Sequence, residues 1–178
     1  RYADPNSPTV RVGSPVVSDF VKVKHPVKML SLDNSYSAQE VAKFFPSSTK
    51  IVSEFKFDGL SLRLRYNNGE LVQAATRGDG STGDDVTTNA RTIHSIPLLL
   101  PEKINVEIRG EALMPRSRFA ELNKALEADG DDLFANPRNA ATGTLKQKDS
   151  REVAKRGLMF VAYDMIGGVY ERAAPNPG

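Results

Sequence analysis

The 178-residue sequence has no cysteine, no tryptophan and only two histidines. Without thiols there is no disulfide framework and no thiolate metal site, and His25 and His94 alone do not make a zinc cluster. No stretch approaches the roughly 18 consecutive apolar residues of a membrane-spanning helix. The N-terminal RYADPNSPTV lacks the apolar segment of a secretory signal. These absences lead us to expect an intracellular protein that does not engage a membrane. A net charge of +2 is also too small by itself to mark a nucleic-acid binder, which needs a concentrated basic face. With 39% hydrophobic residues the chain can bury one sizeable core, so a single globular unit is expected.

The charge is distributed unevenly. Arg138, Lys146, Lys148, Arg151, Lys155 and Arg156 stand against Asp149 and Glu152, a local +4, directly after the acidic Glu127, Asp129, Asp131 and Asp132. On charge alone these two segments read equally well as solvated surface. The first 25 or so residues, rich in Pro, Ser and Val, read as an arm wrapped on a body. Ser37, Glu40 and Pro46 supply a capping box and a stop for a short helix over Ser37 to Phe45. Leu60, Leu62, Leu64 and Tyr66 alternate with polar residues, which predicts a half-buried strand; Asn68-Gly69 supplies a two-residue turn, and Glu70 to Thr76 the return strand. Further elements are expected as a helix from Gly83 to Arg91, a strand around Asn105 to Leu113 and an amphipathic helix from Pro115 to Ala128. In that helix Phe119, Leu122 and Leu126 face inward. A helix from Asn136-Pro137 to about Leu145 follows, then a buried strand from Leu158 to Ile166.

The stretch EFKFDG, Glu54 to Gly59, carries the chemistry. As an extended strand it places Glu54, Lys56 and Asp58 on one face, with Phe55 and Phe57 anchoring the other in the core. A two-residue turn at Asn68-Gly69 pairs residues so that Arg77 falls opposite Leu60, near the same spot. VEIRGEAL repeats the device with Glu107, Arg109 and Glu111. Two such faces side by side would line a polar cleft, although cross-strand ion pairing on a solvated sheet, at under about 1 kcal/mol per pair, is the more common cause of such spacing. Other local patterns carry less. GDGSTGDD, Gly78 to Asp85, lacks the endings of phosphate and calcium loops and reads as a structured turn. Ser47-Ser-Thr-Lys50 has no K-T-G to accompany it. The two histidines read as structural.

Lys56-Phe-Asp-Gly59 fits the K-x-D-G element of covalent nucleotidyltransferases, and it has extensive company. SPTVRVG (Ser7 to Gly13), KMLSLDNSYS (Lys28 to Ser37), EFKFDG, ATRGDGSTGDDVTTNARTIHSIP (Ala75 to Pro97), VEIRGEALMP (Val106 to Pro115) and FANPRNAATGTLKQ (Phe134 to Gln147) follow in order. Together they resemble the adenylation domain of the bacterial NAD-dependent DNA ligases. The resemblance implies an α+β fold with antiparallel sheets flanked by helices, the covalent nucleotidyltransferase (ATP-grasp-like) core. It implies that the residue at Lys56 attacks the α-phosphorus of NAD, expels nicotinamide mononucleotide and holds AMP as a phosphoramidate. A lysine of ordinary pKa, about 10.4, is only about one part in a thousand neutral near pH 7.4, so such a site must favour the free amine. Arg77 or a bound Mg²⁺ favours that form, whereas Glu54 and Asp58 oppose it, so those carboxylates are expected to be engaged elsewhere.

By the same resemblance Glu54 contacts the adenine, Ser31 and Leu32 approach the base through their backbone, and Arg77 and Glu111 contact the nucleotide, Glu111 toward the ribose. Asp58 assists catalysis, and Gly59 lets the chain turn close to the ligand. Arg138 and Lys146 face phosphate in the later steps on nicked duplex DNA. At Lys146 the family usually carries arginine, so the charge is kept but the two-pronged fork is lost. No metal ligand is assigned. The resemblance further implies a cytoplasmic, nucleoid-associated monomer serving DNA replication and repair. Residues 1 to 178 then read as a portion of the adenylation domain, without the preceding nicotinamide-gripping domain and without the downstream G-V-V-x-K strand, oligonucleotide-binding and later modules. An ATP-using nucleotidyltransferase, or a catalytically incomplete nucleotide- or DNA-binding piece, are the alternatives.

Overall fold

The computed structural model describes residues 19–45 and 50–166. The SPTVRVG block, Pro46, most of the S-x-x-K string and the C-terminal PNPG lie outside them. The chain forms the α+β fold expected from its sequence. In order it contains β1 (Lys22–Lys24), α1 (Ala38–Phe44), β2 (Leu60–Asn67), β3 (Glu70–Thr76), β4 (Thr82–Asp84), α2 (Thr87–Ala90), β5 (Val106–Leu113), α3 (Arg116–Asp129), α4 (Pro137–Leu145), α5 (Ser150–Arg156) and β6 (Met159–Ile166). β3, β2, β5 and β6 make a four-stranded antiparallel sheet in that order, and β1 pairs antiparallel with β4.

The central hairpin follows from local chemistry. Asn68 and Gly69 both take positive φ, 50° and 81°, as a turn matching the strand twist requires. Alternation then sorts the sheet into two faces. Leu62, Leu64 and Tyr66 of β2, with Leu71 and Ala74 of β3 and Ala112 of β5, are buried on one face. Ala140, Ala141 and Leu145 of α4, Val153 of α5, and Val86, Ala90, Ile93 and Ile96 belong to the same core. The opposite face carries Ser61, Arg63 and Arg65 against Glu111, Arg109 and Glu107, paired in that order across β2 and β5. Asn136 caps α4, accepting a hydrogen bond from the Asn139 N–H, with Pro137 in the first turn. In α1, Ser37 accepts from the Glu40 N–H, while the Glu40 carboxylate reaches past the cap to the Tyr36 N–H.

Several elements differ from the sequence expectation. Gly83 to Arg91 is not one helix: the strand β4 pairs with β1 there, and only Thr87–Ala90 is helical. β6 is an edge strand rather than a buried one; Phe160 is buried, but Met159, Tyr163 and Met165 are exposed. On α3 the expected face is right, but its members are half-buried: Phe119 and Leu122 pack against the margin of the core. Pro115 sits at the N-cap of α3 rather than inside its first turn. No helix among the described residues is long and apolar enough to cross a membrane.

Candidate active site

The largest correction concerns EFKFDG. Residues 51 to 58 form no strand, because the β2 ladders begin at Leu60 against β5 and Leu62 against β3. Phe55 is therefore not a core anchor; it is 89% exposed, and Phe57 is 40% exposed. The two rings pack on each other instead, 6.3 Å between centroids and tilted by 50°. Lys56 lies between them, exposed, with no hydrogen bond or ion pair among the described residues. Glu54 is likewise exposed.

The chain becomes fixed two residues beyond the lysine. Arg138 Nη1, in the first turn of α4, donates to Asp58 Oδ1 at 2.8 Å. The Gly59 N–H donates to Glu111 Oε1 at 3.2 Å, and the other oxygen of that carboxylate accepts from Ser61 Oγ at 2.9 Å. Tyr163 of β6, which the sequence did not single out, has its hydroxyl pKa raised, chiefly by desolvation. Gly59 is also required by packing within the sheet. A Cβ there would lie 2.2 Å from the Ala112 carbonyl oxygen of β5, so the constraint is close approach of two backbones. Gly59→Ala is expected to destabilise the protein by about 1–3 kcal/mol through forced separation of β2 and β5, and to slow any chemistry at Lys56. Thermal melting checks the first effect and adduct formation the second.

Arg77 is offset from its expected position by one residue. A bulge between Arg65 and Tyr66 shifts the β2–β3 register, so the Arg77 N–H donates to the Ser61 carbonyl, not opposite Leu60. Its guanidinium turns to Ser31, with Nη1 to Oγ at 3.0 Å. The structure thus joins Ser31 with Arg77, Gly59 with Glu111, and Asp58 with Arg138. Among the described residues it leaves Lys56, Glu54 and the 76%-exposed Leu32 without a side-chain hydrogen bond to these groups. Lys146 lies with none of them: its Nζ is 3.1 Å from Asp84 Oδ2, and Lys22 Nζ is 2.5 Å from Asp84 Oδ1. The Lys22 hydrogen bond, followed by the contact with Lys146, holds the Asp84 carboxyl below the usual carboxylate range.

The polar sheet face is itself a buried network that spacing alone did not reveal. Arg63, 2% exposed, donates to Glu107 Oε1 at 3.0 Å and to Gln73 Oε1 at 2.6 Å, and Gln73 donates onward to Asp85. Arg109, directly opposite Arg63, donates to the Val27 carbonyl of the strap that covers this face. His25, on the same strap, has Nε2 at 3.1 and 3.2 Å from the carbonyl oxygens of Thr76 and Arg77. Carbonyls only accept, so Nε2 carries the hydrogen. The ring thereby ties the strap to the end of β3, where Arg77 departs. Burial, then the charges of Arg63 and Arg109, lower its pKa from 6.5. The unfolded chain therefore binds this proton more readily than the folded one. Stability from this group is complete above about pH 6.5 and is lost as the pH falls toward the depressed folded value. Melting temperature measured from pH 7.5 to 5.5 is expected to drop, and His25→Gln to remove part of that slope.

Comparison with known proteins bears directly on this arrangement. The family model described as the NAD-dependent DNA ligase adenylation domain matches residues 17–174. A protein named DNA ligase from Petrotoga mobilis is 49% identical over 170 residues, covering 91% of this chain and 25% of the relative. The chain thus spans a quarter of that relative's length. With Lys56-Phe-Asp-Gly59 at the mouth of β2 and the match extending over nearly all the described residues, the chain belongs to the adenylation-domain family of the NAD-dependent DNA ligases.

Proposed function

We propose that Lys56 takes the adenylyl group of NAD as the first step toward sealing nicks in duplex DNA in the bacterial cytoplasm. The Lys56 nitrogen forms a bond to the α-phosphorus as the bond from that phosphorus to the bridging oxygen breaks. Nicotinamide mononucleotide leaves with the electron pair, and the amine proton passes to solvent. The observation that supports this most is the contrast within the KFDG segment. Asp58 and Gly59 are held by Arg138 and Glu111, while the amine two residues earlier is unpaired among the described residues. A nucleophile needs a free lone pair on a fixed support. Asp58 is engaged by a guanidinium, which keeps that carboxylate from competing for the lysine, whereas Glu54, also expected to be engaged, has no hydrogen bond or ion pair among the described residues.

In this reading Arg77 and Ser31 bind the nucleotide from one side and Glu111 from the other, with Leu32, Glu54 and Gly59 completing its surroundings. Arg138 and Lys146 meet phosphate charge. Among the described residues no three His, Asp or Glu side chains converge as a metal cage. Mg²⁺ characteristically binds through one or two carboxylates together with substrate phosphates. In that role it would neutralise phosphate charge; the steps assigned to the side chains above do not depend on it.

The exposure of residues 51 to 58 favours a second reading, in which the chain alone binds the nucleotide without transferring it. A donor competition separates the readings. Incubation with equimolar NAD and ATP, each labelled in the adenylate, is expected to put the NAD label on the protein. Label from ATP alone would overturn NAD as donor, and bound but unreacted nucleotide would favour the second reading.

A further inference from the structure

Asp84 is an almost buried carboxylate set between two lysines distant in sequence. Lys22 of β1 is its register partner in the small sheet and reaches Oδ1; Lys146, at the C-terminal end of α4, reaches Oδ2. The surroundings hold each part in place. The Asp84 N–H donates to Thr76 Oγ1 at 2.9 Å. Asn89, 2% exposed, donates from Nδ2 at 2.8 Å to both the Leu145 and the Gln147 carbonyls, so the backbone on either side of Lys146 is clamped. The lysines themselves stay accessible, with side chains 71% and 47% exposed against 12% for Asp84.

One carboxylate neutralises one ammonium, so this triad keeps a net charge of +1 facing solvent. A fully neutral ion pair would offer an anion nothing. Two ammonium groups spaced by a carboxylate present separate donors to two oxygens of one tetrahedral anion, as the fork of a single arginine does. The net +1 also equals in size the single negative charge of a phosphodiester.

We propose that Lys22 and Lys146, bridged by Asp84, form one two-cation site for a phosphate group, with Lys22 supplying the second donor that a lone lysine at position 146 lacks. The proposal rests on the reading that this chain handles phosphate of a nucleotide or of DNA, and it adds Lys22 and Asp84 to that function. The phosphate belongs either to the nucleotide or to the nucic acid backbone, and both sources present the same chemistry.

The test uses Lys22→Met, Lys146→Met and the double variant of this chain in two binding arms: NAD, and a nicked duplex with a 5′-phosphate at the nick. Lys22 is exposed at a strand edge, so its replacement leaves folding intact, which melting verifies. If DNA supplies the phosphate, each single variant lowers the slope of log affinity against log salt by about 0.9. The double variant loses less affinity than the product of the single losses, because both lysines grip one group. The same non-additive loss in the NAD arm assigns the site to the nucleotide. Additive losses, meaning two separate phosphates, overturn the shared site. So does an unchanged Lys22→Met beside a weakened Lys146→Met, an outcome that leaves the proposed function standing. If Lys146→Met is unchanged in both arms, the phosphate role of Lys146 fails together with the inference. Adenylyl transfer at Lys56 is scored separately on the unsubstituted chain, so failure of the shared site and failure of the nucleophile are distinguished.

Discussion

Lys56→Ala is expected to reduce the AMP-protein adduct to background while leaving stability within about 0.5 kcal/mol of the unsubstituted chain. The two halves of this prediction have one physical cause. Lys56 is exposed and makes no hydrogen bond or ion pair among the described residues, so little of the folded state depends on it. The same isolation leaves its amine available as a nucleophile, and alanine offers no replacement. Lys56→Arg should behave as alanine does, because a guanidinium stays protonated and has no lone pair to give. Adduct formation followed by intact mass, beside thermal melting of each variant, checks both halves together. A residue that held the fold would move melting as well as chemistry.

Glu107→Ala has the reverse signature, a large stability loss, expected at about 3–5 kcal/mol. Arg63 and Arg109 face each other across β2 and β5, and both are buried. Like charges directly opposite in a sheet repel. Glu107, the carboxylate bonded to Arg63, offsets that repulsion along with the desolvation that pulls the Arg63 pKa below its usual value. Removing Glu107 leaves a buried guanidinium with Gln73 as its remaining acceptor. Replacing both partners by apolar residues of similar size, Arg63→Met with Glu107→Leu, removes the uncompensated charge as well. The double variant is expected to be more stable than Glu107→Ala alone, as denaturant titration of the three proteins measures.

How much of this was legible in the sequence depends on whether an element is specified locally. Asn68-Gly69 dictates its turn by backbone sterics, and Asn136-Pro137 dictates a helix start by capping, so the β2–β3 hairpin and α4 lie where the sequence puts them. The alternation in EFKFDG has the same period as a strand, but a strand also needs a neighbour to complete its ladder. None pairs before Leu60, so the phenylalanines meet each other rather than the core. The bulge beside Arg65 is set by packing across the sheet, and it moves Arg77 by one residue. β4 required the distant β1 to form, and α5, with Asp149 as its cap, was passed over inside a segment read only for its charge.

The candidate site divides in the same way. Asp58, Gly59, Arg77, Glu111 and Arg138 were named from motifs, but which of them pair with which was not. The pairings with Arg138, Ser31 and Ser61 join residues 46 to 80 positions apart only through the fold. Asp84 and Lys22 escaped notice because one sat in a glycine-rich turn and the other in the arm. The signal that could have found them is an acidic residue in a motif block whose basic counterpart, Lys146, lacks an arginine fork.

Locating the modification shows whether Lys56 is the residue that becomes adenylylated. After incubation with NAD, the protein is digested under conditions that preserve phosphoramidates, and the peptide spanning Glu54 to Leu60 is fragmented in a mass spectrometer. An AMP-sized increment on the Lys56 side chain is expected. AMP attached to any other residue, with Lys56 unmodified, would contradict that assignment.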